Sequence, residues 1–549
     1  RRRRRRRRRR SLRLAPTTRV VQYLFFFFFF FFLTVVMTSL LVTTTTTMLL
    51  LPGVVGFHLV PKNHYTRQQR QRRLSQLLLP LSSSSSSTTS SFSFSSSSFL
   101  LDVDENYPRG RMMDDSAAST WEEWNIYCGI QKLPGVELTT TQQEQQQDGM
   151  EFGYTTTVDI AANTPILFVP RQVILSSTEG YEMIGDGGGR ALNARDLLQQ
   201  FGNGSERYFA HLCLWIRLLM EYERGDQSPW YPWLNTFPRR YNNGASMTPF
   251  CFRCLPPLVA ALAKEERTRF LNFEQVLRQM YKHVLAPETL NNVNVLRWAY
   301  NAVLTRCIVP DDHDDDDGNN NNNNNNNNDQ TAATTVLLVP GVDYFNHGTW
   351  PNVDLYFDPE GNCHVYTTVD VTAGTALQRS YGDPTNPSFL FARYGFLDES
   401  SPATFCKIMI DHPSEELVNM GYDPSRMLFF KNTGAISQEV WDVVLYDQVL
   451  YKEEEEDKEG NVGPNVRQQF YQAHMTGDDA TKQAIHQHYY PQTVRALNDH
   501  VEGFLLQLEE LSTKGMGQDV REHPRLPLIL RHNIFVMETF LQVKVANRL

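Results

Sequence analysis

Short stretches with a two-residue hydrophobic period and longer stretches with a helical period follow one another along this chain. Apolar and polar residues alternate over 354–357 and again over 364–369, and a Pro-Glu-Gly-Asn turn at 359–362 separates the two runs. Alternation on both sides of such a turn predicts a β-hairpin. Another short strand is predicted over 336–339.

Apolar residues spaced three and four apart predict helices in the middle and at the end of the chain. The clearest of them spans 206–222 and is closed by Gly225, a residue type that commonly ends helices. Apolar residues between Val494 and Leu511 step by three and four, which predicts a packing seam. The other predicted helices cover 121–128, 265–285, 295–307, 427–451, 464–490, 492–513 and 526–549.

The charge balance argues against a nucleic-acid-binding protein. The chain has 549 residues and a formal net charge of −9, and ten of its 52 Lys and Arg residues form the run Arg1–Arg10. The remainder is therefore strongly acidic, whereas nucleic-acid binders carry an excess of basic residues. An acidic surface suits a basic protein substrate. The length leaves room for two or three domains.

The cysteines do not predict a disulfide framework or a metal centre. They are seven in number and scattered, which indicates a reducing compartment. Cys251 and Cys254 form a Cys-x-x-Cys pair, but no second pair or histidine cluster is near it in the sequence. Zinc sites need about four such ligands, so we expect no metal.

Residues 1–115 carry biased tracts and predict a leader rather than a fold. Arg1–Arg10 and Phe25–Phe32 are homopolymers, and the chain from Val20 to Pro61 has no charged Asp, Glu, Lys or Arg. An apolar stretch from Met37 is followed by a basic, serine-rich segment, which is typical of the bipartite leaders of plastids bounded by extra membranes.

Two alternatives for this region stay open. A membrane anchor is one, although Thr43–Thr47 and Pro52 interrupt a single continuous span. The other is a gene start placed too early, with residues 1–36 never translated. We expect a plastid location or else a cytoplasmic or nuclear one, and no stable membrane association once the leader is removed.

One ordered set of motifs lies between Pro340 and Phe396. It contains an Asp-x-x-Asn-His element (Asp343, Asn346, His347), a Ser-Tyr-Gly element at Tyr381 and a Tyr-Gly-Phe element at Tyr394. In this order the motifs resemble the split-SET group of SET-domain protein methyltransferases, which includes the Rubisco large-subunit lysine methyltransferases. Thr385-Asn386 stands where the group has Ser-Asn.

Two further stretches strengthen the resemblance. Residues 221–238 follow the order Glu-x-x-x-Gly…Ser-x-Trp-x-Pro-aromatic-Leu-x-x-hydrophobic-Pro of the group's inserted helical subdomain. Residues 153–170 are similar to the group's opening pair of strands joined by a turn. There the group shows Gly-x-Gly, with backbone close to the cofactor, whereas this chain has Glu151-Phe152-Gly153.

The resemblance implies a fold and a division into domains. The fold would be α+β, with small β-sheets and a pseudo-knot, a helical insert at about 180–310 and a C-terminal all-α substrate-binding lobe. The SET domain would span 116–400, after the leader at 1–115, and the lobe 401–549. The Asp- and Asn-rich tract at 311–330 predicts a disordered loop inside the SET domain.

The resemblance also implies the residues of a site for S-adenosylmethionine. Tyr381 would place a hydroxyl beside the transferred methyl group, and Tyr394 would supply a second aromatic hydroxyl. The other residues implied to bind the cofactor are Phe152, Gly153, Arg306, Asn346, His347 and Tyr381, with Arg306 as partner of the cofactor carboxylate.

The activity implied is that of a protein-lysine N-methyltransferase acting as a monomer on a non-histone protein, for example Rubisco in a plastid. A histidine acceptor is an alternative within the class, because some split-SET relatives methylate histidine in actin. A catalytically silent SET-fold binding module is the alternative from another class, since Glu151 replaces a glycine at the cofactor.

Overall fold

Two small sheets, an inserted group of helices and a C-terminal helical region make up the part of the chain that the structure describes. The structure is a computed structural model and describes residues 115–141, 151–184, 190–202, 204–310, 335–405, 414–422, 426–452 and 465–548. These residues all belong to one compact unit, Thr88–Leu549. The predicted leader, apart from residue 115, and the tract at 311–330 lie outside the described residues.

Each of the two sheets has four strands. The first has the order β1-β4-β9-β8, formed by Gln131–Lys132, Pro165–Val169, Cys363–Thr367 and Val353–Phe357. The second has the order β2-β3-β10-β7, formed by Val136–Thr141, Glu151–Thr156, Ala376–Arg379 and Asn346–His347. The predicted hairpin is confirmed as β8 and β9, which pair antiparallel. The two strands expected within 153–170 are β3 and β4, and they lie in different sheets.

The helical insert begins and ends at one short pair of strands. Strand β5 (Leu175–Ser176) pairs antiparallel with β6 (Leu337–Leu338). Ile308 and Leu337 also exchange two backbone hydrogen bonds of 2.8 Å, so the chain returns to the place where it left. The helices before and within the insert are α1 Asp115–Tyr127, α2 Ser177–Ile184, α3 Arg190–Gln200, α4 Phe209–Arg224, α5 Tyr231–Leu234, α6 Pro249–Phe252, α7 Pro257–Met280, α8 Pro287–Asn291 and α9 Val293–Arg306.

Large aromatic side chains fill the core of the insert, including one from the tryptophan motif of residues 221–238. The fully buried Trp215 on α4 packs against Phe273 on α7, and Trp233 on α5 is fully buried as well. The helices predicted over 206–222, 265–285 and 295–307 are confirmed as α4, α7 and α9. Helix α7 begins eight residues earlier than predicted, because Pro257 suits the first turn of a helix.

The C-terminal region is helical, with one small strand pair. Helix α10 (Pro387–Tyr394) precedes β11 (Ala403–Phe405), which pairs antiparallel with β12 (Leu428–Phe430). The further helices are α11 Glu415–Asn419, α12 Gln438–Val443 with a π-helical continuation Val444–Leu450, α13 Val466–Thr476, α14 Asp479–Gly515 and α15 Leu526–Ala546. None of the helices in the described ranges is both long and apolar enough to span a membrane.

Two predicted boundaries in this region are wrong. The helix expected over 427–451 begins only at Gln438, because residues 428–430 form β12 with a distant partner. The two helices expected on either side of Pro491 are one helix, α14, and the break lies instead at Gly477, whose φ of 70° ends α13. The packing seam is confirmed in its middle, where Leu497, Val501, Phe504 and Leu508 are buried.

The α+β class, the helical insert and the C-terminal helical region are therefore confirmed. The pseudo-knot and the domain boundaries at 115, 400 and 401 stay predictions.

Candidate active site

The Asp-x-x-Asn-His segment is held between the insert and the second sheet. Gly341 has a φ of 83°, a conformation that suits glycine, and it precedes a short 3-10 turn at Val342–Tyr344. Strand β7 then pairs in parallel with the end of β10, with Asn346 opposite Gln378 and His347 opposite Arg379. This register brings the Asn-His pair beside the Ser-Tyr-Gly element that follows β10.

Asn346 joins this segment to the strand that carries Phe152 and Gly153. Its Nδ2 donates a hydrogen bond of 3.1 Å to the carbonyl of Phe152. The Gly153 carbonyl accepts a 3.1 Å bond from the Thr139 hydroxyl on the neighbouring strand. Glu151 begins the same strand, but its side chain lies outside what the structure describes.

His347 connects the catalytic candidate Tyr381 to a buried carboxylate. Its Nδ1 accepts a 3.1 Å hydrogen bond from the backbone N–H of Tyr381, so a neutral ring carries its proton on Nε2. Nε2 lies 3.4 Å from Oδ2 of Asp398, and the His347 side chain is 4% exposed.

Asp398 was not among the predicted site residues. Its carboxylate accepts hydrogen bonds from Thr349 Oγ1 at 2.9 Å and Ser400 Oγ at 2.6 Å. Burial raises the pKa of Asp398, but the contact with His347 and the two hydroxyl groups outweigh burial and bring the pKa to about 2. A charged carboxylate therefore stands behind the His347 ring and favours the proton on Nε2.

Tyr381 and Tyr394 form an aromatic corner. The Tyr381 hydroxyl donates to the carbonyl of Phe345 at 3.0 Å, and the Tyr394 hydroxyl donates to the carbonyl of Tyr381 at 3.3 Å. The two rings lie 4.9 Å apart, and the Phe396 ring lies 5.6 Å from His347. Burial raises the pKa of both Tyr381 and Tyr394, so both hydroxyls are protonated near neutral pH.

The glycine of the Tyr-Gly-Phe element has a packing reason. Gly395 has a φ of 83°, and a Cβ there would lie 2.5 Å from the backbone nitrogen of Asn243 in the insert. Asn243 in turn donates through Nδ2 to the carbonyl of Arg393 at 3.1 Å. The end of α10 is thus pressed directly against the insert, which positions Tyr394.

Arg306, the predicted carboxylate partner, is itself in an ion pair. Its Nη1 donates to Oδ2 of Asp343 at 2.9 Å, and the two side chains are 15% and 1% exposed. Asp343 also accepts a 3.3 Å bond from Trp233 Nε1. Burial raises the pKa of Asp343, and Arg306 and Trp233 offset this only in part. Arg306 Nε is buried and has no hydrogen-bond partner in the described part of the chain.

Arg306, Asp343, Tyr381 and Tyr394 line a cavity of about 80 Å³. The residues lining it are Thr305, Arg306, Cys307, Val342, Asp343, Arg379, Ser380, Tyr381 and Tyr394. The predicted residues Arg306, Tyr381 and Tyr394 therefore meet at one cavity. His347 is attached to it through the backbone N–H of Tyr381, and the preceding residue, Asn346, bonds to the carbonyl of Phe152.

Sequence reasoning missed Asp398, Arg379 and Cys307 as neighbours of this site. Asp398 had a weak signal, because it follows the Tyr-Gly-Phe element by two residues. Arg379 precedes Ser380-Tyr381 directly, and Cys307 follows Arg306, yet nothing in the sequence tells which neighbours of a motif face a cavity.

Comparison with known proteins adds a distant relative. No family model matches the chain. The chain is 22% identical over 280 residues to an actin-histidine N-methyltransferase of Drosophila melanogaster. The chain is similar to a protein methyltransferase. The match covers 48% of this chain and 47% of that protein, so the chain spans about half the length of this curated relative.

Two solved structures are among those to which the chain is similar in structure. "Structure of Rubisco LSMT bound to AdoMet" has a TM-score of 0.48 and 14% identity, and it covers 79% of this chain and 91% of that chain. "Crystal structure of the SET domain of LSMT bound to Lysine and AdoHcy" has a TM-score of 0.47 with the same identity and coverage.

Proposed function

We propose that this protein is an S-adenosylmethionine-dependent protein N-methyltransferase whose acceptor is a lysine on a non-histone protein. The observation that carries the proposal is the meeting of Arg306, Tyr381 and Tyr394 at one cavity, with His347 bonded to Tyr381. The similarity to an actin-histidine N-methyltransferase supports the reaction type.

The residues present fit the amino-acid end of the cofactor. Asn346 Nδ2 is already used by the Phe152 carbonyl, which leaves Oδ1 to accept from an ammonium group. The buried Nε of Arg306 is a donor suited to a carboxylate. When bound, S-adenosylmethionine supplies a methyl group on a sulfonium that is already an excellent leaving group.

This chain's own residues would prepare the acceptor. The Tyr381 hydroxyl donates its hydrogen bond to the Phe345 carbonyl. The lone pairs of the phenolic oxygen therefore stay available to accept from an N–H of the incoming amine. A free lysine has a pKa of about 10.4 and is mostly protonated at neutral pH. The aromatic rings of Tyr381, Tyr394 and Phe396 exclude water and disfavour the cation, which lowers the pKa of the amine. Positioning and desolvation then supply most of the rate.

The acceptor can be identified by labelling and by pH dependence. Incubation with labelled S-adenosylmethionine and fractionated plastid and cytosolic extracts, followed by mapping of the labelled side chain, should give a lysine. The ratio kcat/KM should keep rising with pH above about 8, because the free lysine side chain, with a pKa of about 10.4, must lose its proton before transfer.

A histidine acceptor is the second candidate, favoured by the curated relative that methylates histidine in actin. Its free imidazole loses its proton near pH 6.5, so kcat/KM should level off at about pH 7. Label on histidine together with such a plateau would replace lysine as the acceptor and leave the methyltransferase proposal in place.

A catalytically silent binding module is the third possibility, motivated by Glu151 in place of a glycine. Calorimetric titration with S-adenosylmethionine separates it from an enzyme. An enzyme binds the cofactor in wild type, and Glu151→Gly changes the affinity by well under the tenfold that 1.4 kcal/mol represents. Binding that appears only in the variant would favour the silent module.

Two broader parts of the proposal concern the whole protein. The C-terminal helices of 401–549 would bind the protein substrate, and the protein would act as a monomer. Rubisco is a candidate substrate if the protein enters a plastid. Crosslinking of a labelled substrate to residues of α13 or α14 would support substrate binding by the C-terminal helices. Light scattering at working concentration tests whether the protein is a monomer.

A further inference from the structure

Arg379 is a cation at the candidate active site, and no carboxylate among the described residues forms an ion pair with it. The cavity lining contains two guanidinium groups, Arg306 and Arg379, and one carboxylate, Asp343. Asp343 is already bonded to Arg306 at 2.9 Å. No ion pair found among the described ranges includes Arg379, so the lining carries an excess positive charge.

The backbone of Arg379 is fixed by the sheet. It is the last residue of β10 and lies opposite His347 in the parallel pair. Its carbonyl accepts a 3.0 Å hydrogen bond from the N–H of Gly348. Its guanidinium carbon lies 5.8 Å from the centre of the Tyr381 ring. The charge is therefore held next to Tyr381 rather than free to move away on a loop.

The field of Arg379 reaches the other groups of the cavity. Burial raises the pKa of Cys307, and Arg393 and Arg379 both oppose that rise. The same opposition acts on Tyr381, where burial raises the pKa and Arg379 is the strongest opposing group. A guanidinium presents a planar fork of donors that matches a carboxylate. An unneutralised guanidinium in a partly buried cavity attracts such an anion more strongly than one in water.

We propose that Arg379 binds a carboxylate in this cavity and so determines which ligand is accepted there. The identity of the ligand rests on the proposed methyl transfer, whereas the binding of a carboxylate does not. Two sources offer this chemistry, an acidic side chain of the protein substrate beside the acceptor and the carboxylate of the cofactor. Arg379 is half-buried and the next residue, Ser380, is exposed, so the cavity opens to solvent on this side.

The carboxylate preference can be measured without any methyl transfer, because Cys307 lines the same cavity. Iodoacetate and iodoacetamide alkylate a thiolate by the same displacement of iodide and differ by one carboxylate. The rates of both reagents at Cys307 are compared by peptide mass mapping at about pH 9, where more of the thiol is ionised. Cys128, in the turn after α1, is an internal reference in the same sample.

Wild type should show a higher iodoacetate-to-iodoacetamide ratio at Cys307 than at Cys128. Arg379→Gln should lower the ratio at Cys307 by about threefold or more, as loss of a unit charge nearby predicts. Arg379→Lys should restore most of the ratio. The matched control is Arg426→Gln in the C-terminal region, where the arginine pairs with Glu439, and it should leave the ratio unchanged. An unchanged ratio in Arg379→Gln would overturn the proposal.

Two further comparisons identify the source of the carboxylate. If the cofactor is the source, Arg379→Gln loses the preference for S-adenosylmethionine over its decarboxylated analogue in calorimetry. If the substrate is the source, cofactor binding is unchanged, and the KM for lysine peptides with a flanking Glu rises towards that of matched peptides with Gln. Loss of affinity for all these ligands alike would indicate a structural role and overturn the proposal.

The outcomes also separate this inference from the proposed function. A charge-dependent alkylation ratio in a protein that transfers no methyl group would keep the carboxylate site and remove the enzyme. Methyl transfer by a protein whose alkylation ratio at Cys307 and ligand preferences do not depend on Arg379 would keep the enzyme and remove the carboxylate site.

Discussion

Two buried carboxylates, Asp343 beside the cavity and Asp442 in the C-terminal region, are surrounded in opposite ways. Asp442 on α12 meets Lys482 at 2.5 Å and His486 at 2.8 Å, both on α14, and Gln438 Nε2 at 2.8 Å. Burial raises the pKa of Asp442, but these partners outweigh burial and lower it. Asp343 has one ion-pair partner in the described part of the chain, Arg306. Burial outweighs this partner and raises the pKa of Asp343.

The difference separates a structural cluster from a site. Around Asp442 the charges are balanced and join two helices, as buried polar groups of a stable core require. Around Asp343 the carboxylate is under-compensated, a second guanidinium is left over, and a cavity lies between them. Perturbed titratable groups of this kind concentrate at functional sites. Substitutions near Asp343 should therefore act on binding and turnover, and substitutions near Asp442 on stability.

The largest effect is expected from Tyr381→Phe. Loss of the hydroxyl should lower kcat by on the order of a hundredfold, the scale seen when one positioned hydrogen-bonding group is removed from an active site. Cofactor affinity should stay as in wild type, because the backbone N–H that binds His347 is retained. Turnover and calorimetry on the same preparation check both statements. A kcat equal to that of wild type would remove Tyr381 from the mechanism.

Asn346→Ala should weaken S-adenosylmethionine binding by about 1–3 kcal/mol, because the ammonium group of the bound cofactor would lose its acceptor, the Asn346 Oδ1. The Phe152 carbonyl also loses its donor, so a small fall in melting temperature is expected as well. Calorimetric Kd values measure the first effect. Full affinity in the variant would mean that the Asn-His pair forms only a turn.

Asp442→Asn should lower the free energy of unfolding by about 1–3 kcal/mol and leave kcat nearly unchanged. The reason is that Lys482 and His486 lose their shared carboxylate while no group of the cavity is touched. Urea denaturation and turnover are measured together. A loss of turnover at unchanged stability would contradict the separation between the two regions.

The stability difference between wild type and Asp442→Asn should shrink as the solution is acidified. The folded-state pKa of Asp442 is lowered, so its stabilisation is complete above the unfolded-state pKa of about 3.9 and is lost as pH falls through the folded value. Urea midpoints from pH 6 down to pH 3.5 test this sign. A difference that grows on acidification would show that the partners do not stabilise the charged carboxylate.

The smallest effect is expected from deletion of 311–330. This tract of Asp and Asn cannot bury apolar surface. Its flanks are tied by the two hydrogen bonds between Ile308 and Leu337, so the strand pair that closes the insert is kept. Melting temperature and turnover should match those of the full chain. A chain that starts at Ser116 serves as a parallel test of the leader, and a large loss in either case would show an unrecognised role.

Local patterns were sufficient where the structure is local. The hairpin of β8 and β9 follows from its alternation and turn, and α4 follows from its spacing and from Gly225. Helix α14 shows the limit, since Pro491 removes a backbone donor yet lies on an exposed face, where water can satisfy the freed carbonyl. Strand β12 was missed because its partner β11 lies more than twenty residues away in the sequence.

The motifs of the site could be predicted from the sequence, but which of its charged side chains pair with one another could not. The order of Asn346, His347, Tyr381 and Tyr394 marked the residues that come together. Whether Arg306 or Arg379 would be neutralised depends on which of them meets Asp343 in three dimensions. Asp398 likewise acts only through its place behind His347. Such pairings arise from tertiary contacts that no sequence period records.

We expect methyl transfer to take place at the cavity and not to depend on the Asp442 cluster. The most direct measurement incubates one labelled-cofactor mixture and one extract with wild type, Tyr381→Phe and Asp442→Asn, all folded at the assay temperature. Wild type and Asp442→Asn should label the same acceptor protein to a similar extent, and Tyr381→Phe should not. Absence of labelling by wild type, or equal labelling by Tyr381→Phe, would contradict this expectation.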